Sequence, residues 1–142
     1  MSCMGFLTPG QRAALAASTA AGPPLSSFAS PPASEGKVRR VHALAASPKA
    51  VIRESAALAH HAPREVLEVL ADDAEVGVRR CVARNEHTPA PVLRKLSRDP
   101  DPLVRGWVAA NPTVPDDLLV TLATDPDPGV RAVVTWAEGW RC

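Results

Sequence analysis

An aliphatic residue followed by arginine recurs as Ile52-Arg53, Val78-Arg79, Val104-Arg105 and Val130-Arg131, with a constant period of 26 residues. A fixed period of this length implies stacked copies of one small supersecondary unit, because a single unit cannot bury its own apolar face. Written at that period, the segments beginning at Lys37, Pro63, Pro89 and Pro115 align without a gap. The chain therefore divides into an N-terminal part, 1–36, and four units, 37–62, 63–88, 89–114 and 115–140.

The first half of each unit carries apolar residues in fixed columns: Val41 and Leu44; Val66, Leu67 and Leu70; Val92, Leu93 and Leu96; Leu118, Leu119 and Leu122. Spacings of three and four place them on one face of a helix, here called A. Pro63, Pro89 and Pro115 stand just ahead of it, where the first turn tolerates a missing N–H. A turn column follows, Ser47, Asp73, Asp99 and Asp125, whose side-chain oxygens can cap a helix or close a turn. In the last two units a second Asp-Pro pair follows. A residue before proline avoids the α region, so the second helix, B, is expected to start there at Pro102 and Pro128. Helix B carries the aliphatic residues that precede the arginines and, four positions on, Ala56, Val82, Val108 and Val134. Small residues fill most of its other positions and let neighbouring B helices approach closely. Asn85 and Asn111 end it, which predicts a left-handed C-cap. Helices of about nine residues are marginal alone in water. Stacking must supply the stability, and the expected fold is an all-α solenoid held by nearest-neighbour interfaces.

The unit Asp-Pro-Asp-Pro-x-Val-Arg-x-x-Val-Ala-x-Asn-Pro-x-x-Pro-x-x-Leu-Leu-x-x-Leu-Ala, nearly complete from Asp99 to Ala123, resembles the leucine-rich repeat variant family, a bacterial relative of HEAT repeats. The resemblance covers residues 37–140 and is weakest in the first unit, where Ser47 replaces Asp and Lys37 replaces Pro. It implies a right-handed α-solenoid of armadillo type, here of four 26-residue two-helix repeats; the N-terminal tail ahead of them is expected, from its composition, to be mostly disordered. Helices alternating between α and 3₁₀ type are also implied. The pairs Asp73 and Arg79, Asp99 and Arg105, Asp125 and Arg131 are similar to the HEAT Asp–Arg ladder. An iron–sulfur centre on an N-terminal cysteine cluster, which some members carry, is not expected here, since Cys3 stands alone.

Composition bounds the rest. Net charge is +1, from 16 basic and 15 acidic residues, so any case for nucleic acid or an anionic membrane must be local. Three scattered cysteines, Cys3, Cys81 and Cys142, argue against a disulfide framework and suit a reducing compartment. No apolar run approaches the length of a membrane span, and Arg12 interrupts the one alanine-rich run that a secretory signal would need. Thr8-Pro9 and the stretch Gln11 to Ala21 predict a short helix, stopped at Gly22-Pro23-Pro24. Residues 22–35, rich in Pro, Ala and Ser, predict a flexible linker.

The arginine column Arg53, Arg79, Arg105 and Arg131 admits two readings. It can present a cationic stripe to phosphate or carboxylate ligands, or each guanidinium can bridge turn carboxylates and carbonyls of neighbouring repeats. Arg79, Arg80, Arg84, Arg94, Lys95 and Arg98 form a basic run of possible use to nucleic acid, but helices A and B split it between two surfaces. His61 and His87 share a column and are expected within several ångströms of each other, with His60 alongside. The third unit offers Thr113 there, so no metal is expected. Cys81 shares its column with Ser55, Trp107 and Val133, a half-buried packing position. Trp136 and Trp140 are expected to cap the last unit.

No phosphate loop, carboxylate pair or nucleophile elbow occurs, so no enzyme, cofactor or catalytic residue is expected. The chain is expected to be a cytoplasmic, non-catalytic scaffold that binds a protein or peptide on a concave face lined by the B helices. Arg79, Arg80, Arg84, Arg105, Trp107 and Trp136 are the candidate surface, and Asp73, Arg79, Asp99, Arg105, Asp125 and Arg131 the structural ladder. The alternative is a HEAT-like nucleic-acid binder or enzyme, resembling a DNA glycosylase or a bilin lyase, supported by Arg79, Arg80, Arg84 and Arg105 with Trp107.

Overall fold

The computed structural model describes residues 34–140, within one compact unit that spans Ala33–Cys142. The helix expected at Gln11 to Ala21 and the linker up to residue 33 lie outside the described residues. Among the described residues all regular structure is helical, in eight helices: α1 Glu35–Ala45, α2 Ala50–Ala57, α3 Arg64–Leu70, α4 Val76–Arg84, α5 Ala90–Leu96, α6 Pro102–Ala110, α7 Asp116–Leu122 and α8 Pro128–Trp140. The A helices are α1, α3, α5 and α7; the B helices are α2, α4, α6 and α8.

Helix α1 begins at Glu35, inside the stretch read as linker. Ser34 is its N-cap, accepting from the Lys37 N–H at 3.4 Å, and Glu35 places a carboxylate against the positive end of the helix. Pro63, Pro89 and Pro115 are the N-caps of α3, α5 and α7, each extended with ψ between 143° and 149°. These three helices have seven residues each, fewer than expected, because two chain reversals must fit into every period. Helices α6 and α8 start at Pro102 and Pro128. Asp101 caps α6 by accepting from Leu103 N at 2.9 Å and Val104 N at 3.1 Å.

Two expectations fail. All the described helices are α, without the 3₁₀ alternation that the family resemblance implied. The left-handed C-cap is also absent: Asn85 (φ −67°, ψ 124°) and Asn111 (φ −68°, ψ 129°) are extended, and no described non-glycine residue has positive φ. Their side chains reach back to carbonyls of the preceding unit.

The core lies between the two layers. Leu67, Leu93 and Leu119 from the A helices meet Val82, Val108 and Val134 from the B helices, all buried. B helices approach their neighbours in the order α2, α4, α6, α8, backbone to backbone. Ala56, Ala57, Ala83 and Ala109, all with no exposed surface, permit that approach. Val78, Val104 and Val130 are buried while Ile52 in the same column is half-buried, since no described B helix precedes α2 to cover it.

Candidate functional site

The arginine column is directed along the stack. Arg53 donates from Nε and Nη2 to both carboxylate oxygens of Asp73, at 2.6 and 2.9 Å. Arg79 does the same to Asp99 at 2.7 and 3.2 Å, and Arg105 to Asp125 at 2.8 and 2.9 Å. In each case Nη1 turns back to the carbonyl six residues earlier: Ser47, Asp73 and Asp99, at 3.0, 2.8 and 2.8 Å. The six-residue spacing thus reports a carbonyl contact, whereas the carboxylate partner lies 20 residues ahead. Arg131 bonds the carbonyls of Asp125 and Pro126 and has no carboxylate partner among the described residues.

The aspartates also close their own turns, accepting from the N–H two residues on, at Glu75, Asp101 and Asp127, each at 2.9 Å. The hydrogen bonds from Arg53 and Arg105 hold Asp73 and Asp125 below the usual carboxylate range, against the opposing pull of desolvation. The bonds to Asp73, Asp99 and Asp125 push Arg53, Arg79 and Arg105 further up. Bidentate, largely buried guanidinium groups have few donors left for a ligand.

A second set of rungs is made by asparagines that sequence reasoning treated only as helix ends. Asn85 Nδ2 donates to the carbonyls of Ala57 and Ala59 at 2.7 and 3.2 Å, and its Oδ1 accepts from His87 N at 2.9 Å. Asn111 repeats this one period on, donating to Ala83 and Asn85 at 2.8 and 2.9 Å and accepting from Thr113 N at 2.9 Å. An extended backbone carries the side chain across to the preceding turn. The recurrence of Asn at one period was the available signal; the extended conformation was not legible in it.

Most of the basic run is occupied as well. Arg80 pairs with Asp101 at 3.0 Å, Arg94 with Asp117, and Lys95 with Asp72. The Arg80 and Arg94 guanidinium groups hold Asp101 and Asp117 below the ordinary carboxylate range. Arg84 has no carboxylate partner among the described residues. Its guanidinium carbon lies 5.2 Å from the centre of the Trp107 ring, a cation–π contact.

Trp107 and Trp136 line one groove of about 360 Å³ between α6 and α8, with Leu103, Gly106, Ala110 and Val133. Leu103 is 56%, Trp107 40% and Trp136 57% exposed, so these large apolar side chains are accessible together. Trp136 also borders an adjoining cavity of about 390 Å³ formed with Ala109, Ala110, Asn111, Pro112, Val114 and Ala137. Gly106 sits at the groove inside a helix. A Cβ built on it would have its nearest neighbour, Val133 Cγ2, at 4.0 Å, so packing does not demand glycine. Of the six candidate surface residues, the structure gathers Arg84, Trp107 and Trp136 and sends Arg79, Arg80 and Arg105 to ion pairs. Gly106 and Leu103 escaped sequence reasoning because nothing periodic marks them, and Val133 was placed only as a half-buried packing position in the column of Trp107.

Among the histidines, His60 rather than His61 meets His87: His60 Nδ1 and His87 Nε2 are 3.1 Å apart. Burial, together with the neighbouring His60, Lys37 and His87, pushes His61 toward its neutral form. Cys81 is a half-buried free thiol whose pKa is raised by burial and Glu54, the opposite of what a nucleophile needs. The Trp140 side chain lies outside the described residues.

Among the described residues no helix is long and apolar enough to cross a membrane. No curated protein and no solved structure matches the chain. The family model described as the Leucine Rich Repeat Variant domain matches residues 79–137, the segment that contains two full carboxylate rungs, the second asparagine rung and the tryptophan groove. From Arg79 to Ala137 the chain is thus similar to the Leucine Rich Repeat Variant domain.

Proposed function

We propose that the protein is a non-catalytic repeat scaffold that binds an extended segment of a partner protein in the groove between α6 and α8. The observation that carries this reading is Gly106. A helix-interior glycine costs about 0.5–1 kcal/mol relative to alanine, and its surroundings leave room for the methyl group. Gly106 is itself buried beneath the groove, so its missing methyl group keeps the floor open between two exposed tryptophans, the residue type most enriched at binding hot spots. The partner segment we assign carries a large apolar side chain for the groove and a carboxylate beside it for Arg84, whose charge has no carboxylate partner among the described residues. The close approach of the B helices supports placing this surface on the inner side of the stack. A reducing compartment suits the free Cys81 thiol.

The nucleic-acid and enzyme reading loses most of its support, since three of its four arginines are bound to aspartates. A DNA titration at low salt, where phosphate attraction is strongest, is expected to give no binding.

The test is selection of a random peptide library on the full chain. Enriched peptides are expected to share a Trp, Phe or Leu next to Asp or Glu. Trp107→Ser should weaken them about 30-fold, the loss of a hot spot of about 2 kcal/mol, without changing the helical circular dichroism. Selection without a consensus, or peptides indifferent to Trp107→Ser, contradicts the reading. Displacement of the peptides by residues 1–33 of the same chain, or by a second copy, assigns the groove to those occupants instead.

A further inference from the structure

We propose that the turns after α2 and α4 form a binding site for a zinc-class divalent cation, held by His60 Nδ1, His87 Nε2 and Glu86 Oε1 with a fourth position open. These three atoms lie at the corners of a small triangle: His60 to His87 3.1 Å, His60 to Glu86 3.4 Å and Glu86 to His87 3.6 Å. A tetrahedral zinc ion with metal–nitrogen bonds near 2.05 Å requires ligand atoms about 3.3 Å apart. The triangle is one face of that tetrahedron, and two imidazoles with one carboxylate are a donor set suited to zinc with an open position.

A second observation concerns how the ligands are held. Asn85 is buried, and its one side chain ties both turns together, donating to the Ala59 carbonyl next to His60 and accepting from the His87 N–H. The ligand-bearing backbone is therefore fixed before any ion arrives, as supporting hydrogen bonds around metal ligands do elsewhere. The next turn pair has the same clamp at Asn111 but presents Thr113 in place of a ligating histidine, which confines the site to one pair of turns. His60 and Glu86 also line a cavity of about 340 Å³, together with Leu58, Arg84 and Pro112. Both facing nitrogens must present a lone pair to the ion.

The test uses the untagged full chain titrated with zinc and, separately, with cobalt(II) as a spectroscopic probe. Zinc should bind one to one at micromolar concentration. Cobalt should give the intense visible bands of a four-coordinate site without thiolate-to-cobalt charge transfer. His60→Ala, His87→Ala and Glu86→Gln should each weaken binding by about tenfold or more, while His42→Ala leaves it unchanged. All three ligands are exposed, so these variants should keep the wild-type helical signal. In wild-type protein, zinc should shift the ring resonances of His60 and His87 first, a readout independent of any variant. Binding that survives the double variant His60→Ala/His87→Ala, dependence on His61 instead of His60, a thiolate band, or no binding at micromolar zinc would each overturn the proposal.

Discussion

Asp99 joins three pieces of backbone through one carboxylate and its carbonyl. Its two side-chain oxygens receive Arg79 from the preceding unit, Oδ1 also closes its own turn at Asp101, and its carbonyl receives Arg105. Asp73 and Asp125 are built alike, and the depressed pKa values of Asp73 and Asp125, with those of Asp101 and Asp117, make the stack sensitive to acid. A carboxylate whose folded pKa lies below its unfolded value, about 3.9, contributes stability that is fully present above that value. This contribution is lost as pH falls through the folded pKa. His61 has the same sign: its pKa is lowered on folding, so its contribution is lost as pH drops below about 6.5. Thermal melts from pH 8 to pH 2 are therefore expected to show a small decline below about 6.5 and the main loss below about 4. A melting temperature that rises below pH 4 would mean that the aspartates are not stabilised by their arginines.

At the scale of the helix, Gly106 separates stability from function. Gly106→Ala replaces a permissive residue inside α6 and should stabilise the fold by about 0.5–1 kcal/mol, since its Cβ meets nothing closer than 4.0 Å. The same methyl group narrows the groove and should weaken peptide binding; equal or tighter binding would remove the functional reason for the glycine. Helices were legible in the sequence because Leu93, Val104 and their column mates recur at helical spacing, and two proline starts, at Pro102 and Pro128, followed from the steric rule for the residue before proline. Asn85 was misread as a left-handed cap because its partners, the carbonyls of Ala57 and Ala59, lie in the preceding unit. The groove was legible only as exposed tryptophans: its floor depends on Gly106 and Val133 meeting across two helices, which no local pattern encodes. His60 was passed over for His61 because column alignment ignores the side-chain direction within a turn.

For the whole molecule, regularity and function occupy different residues. Arginine–aspartate rungs at all three junctions between units, and asparagine rungs at two of them, hold the stack, while the groove arises where the columns are broken, by glycine in one unit and tryptophan in two. Charge follows the same division, with the basic run largely neutralised within the stack and Arg84 left beside Trp107. Mapping a selected peptide onto the isotope-labelled full chain by amide chemical-shift perturbation tests this division most directly. Shifts are predicted at Leu103, at Gly106 to Ala110, at Val133 to Ala137 and at Arg84, with the amides of Arg53 and Arg79 unmoved. Shifts concentrated along the arginine column, or on the exposed faces of α3, α5 and α7, would contradict the account.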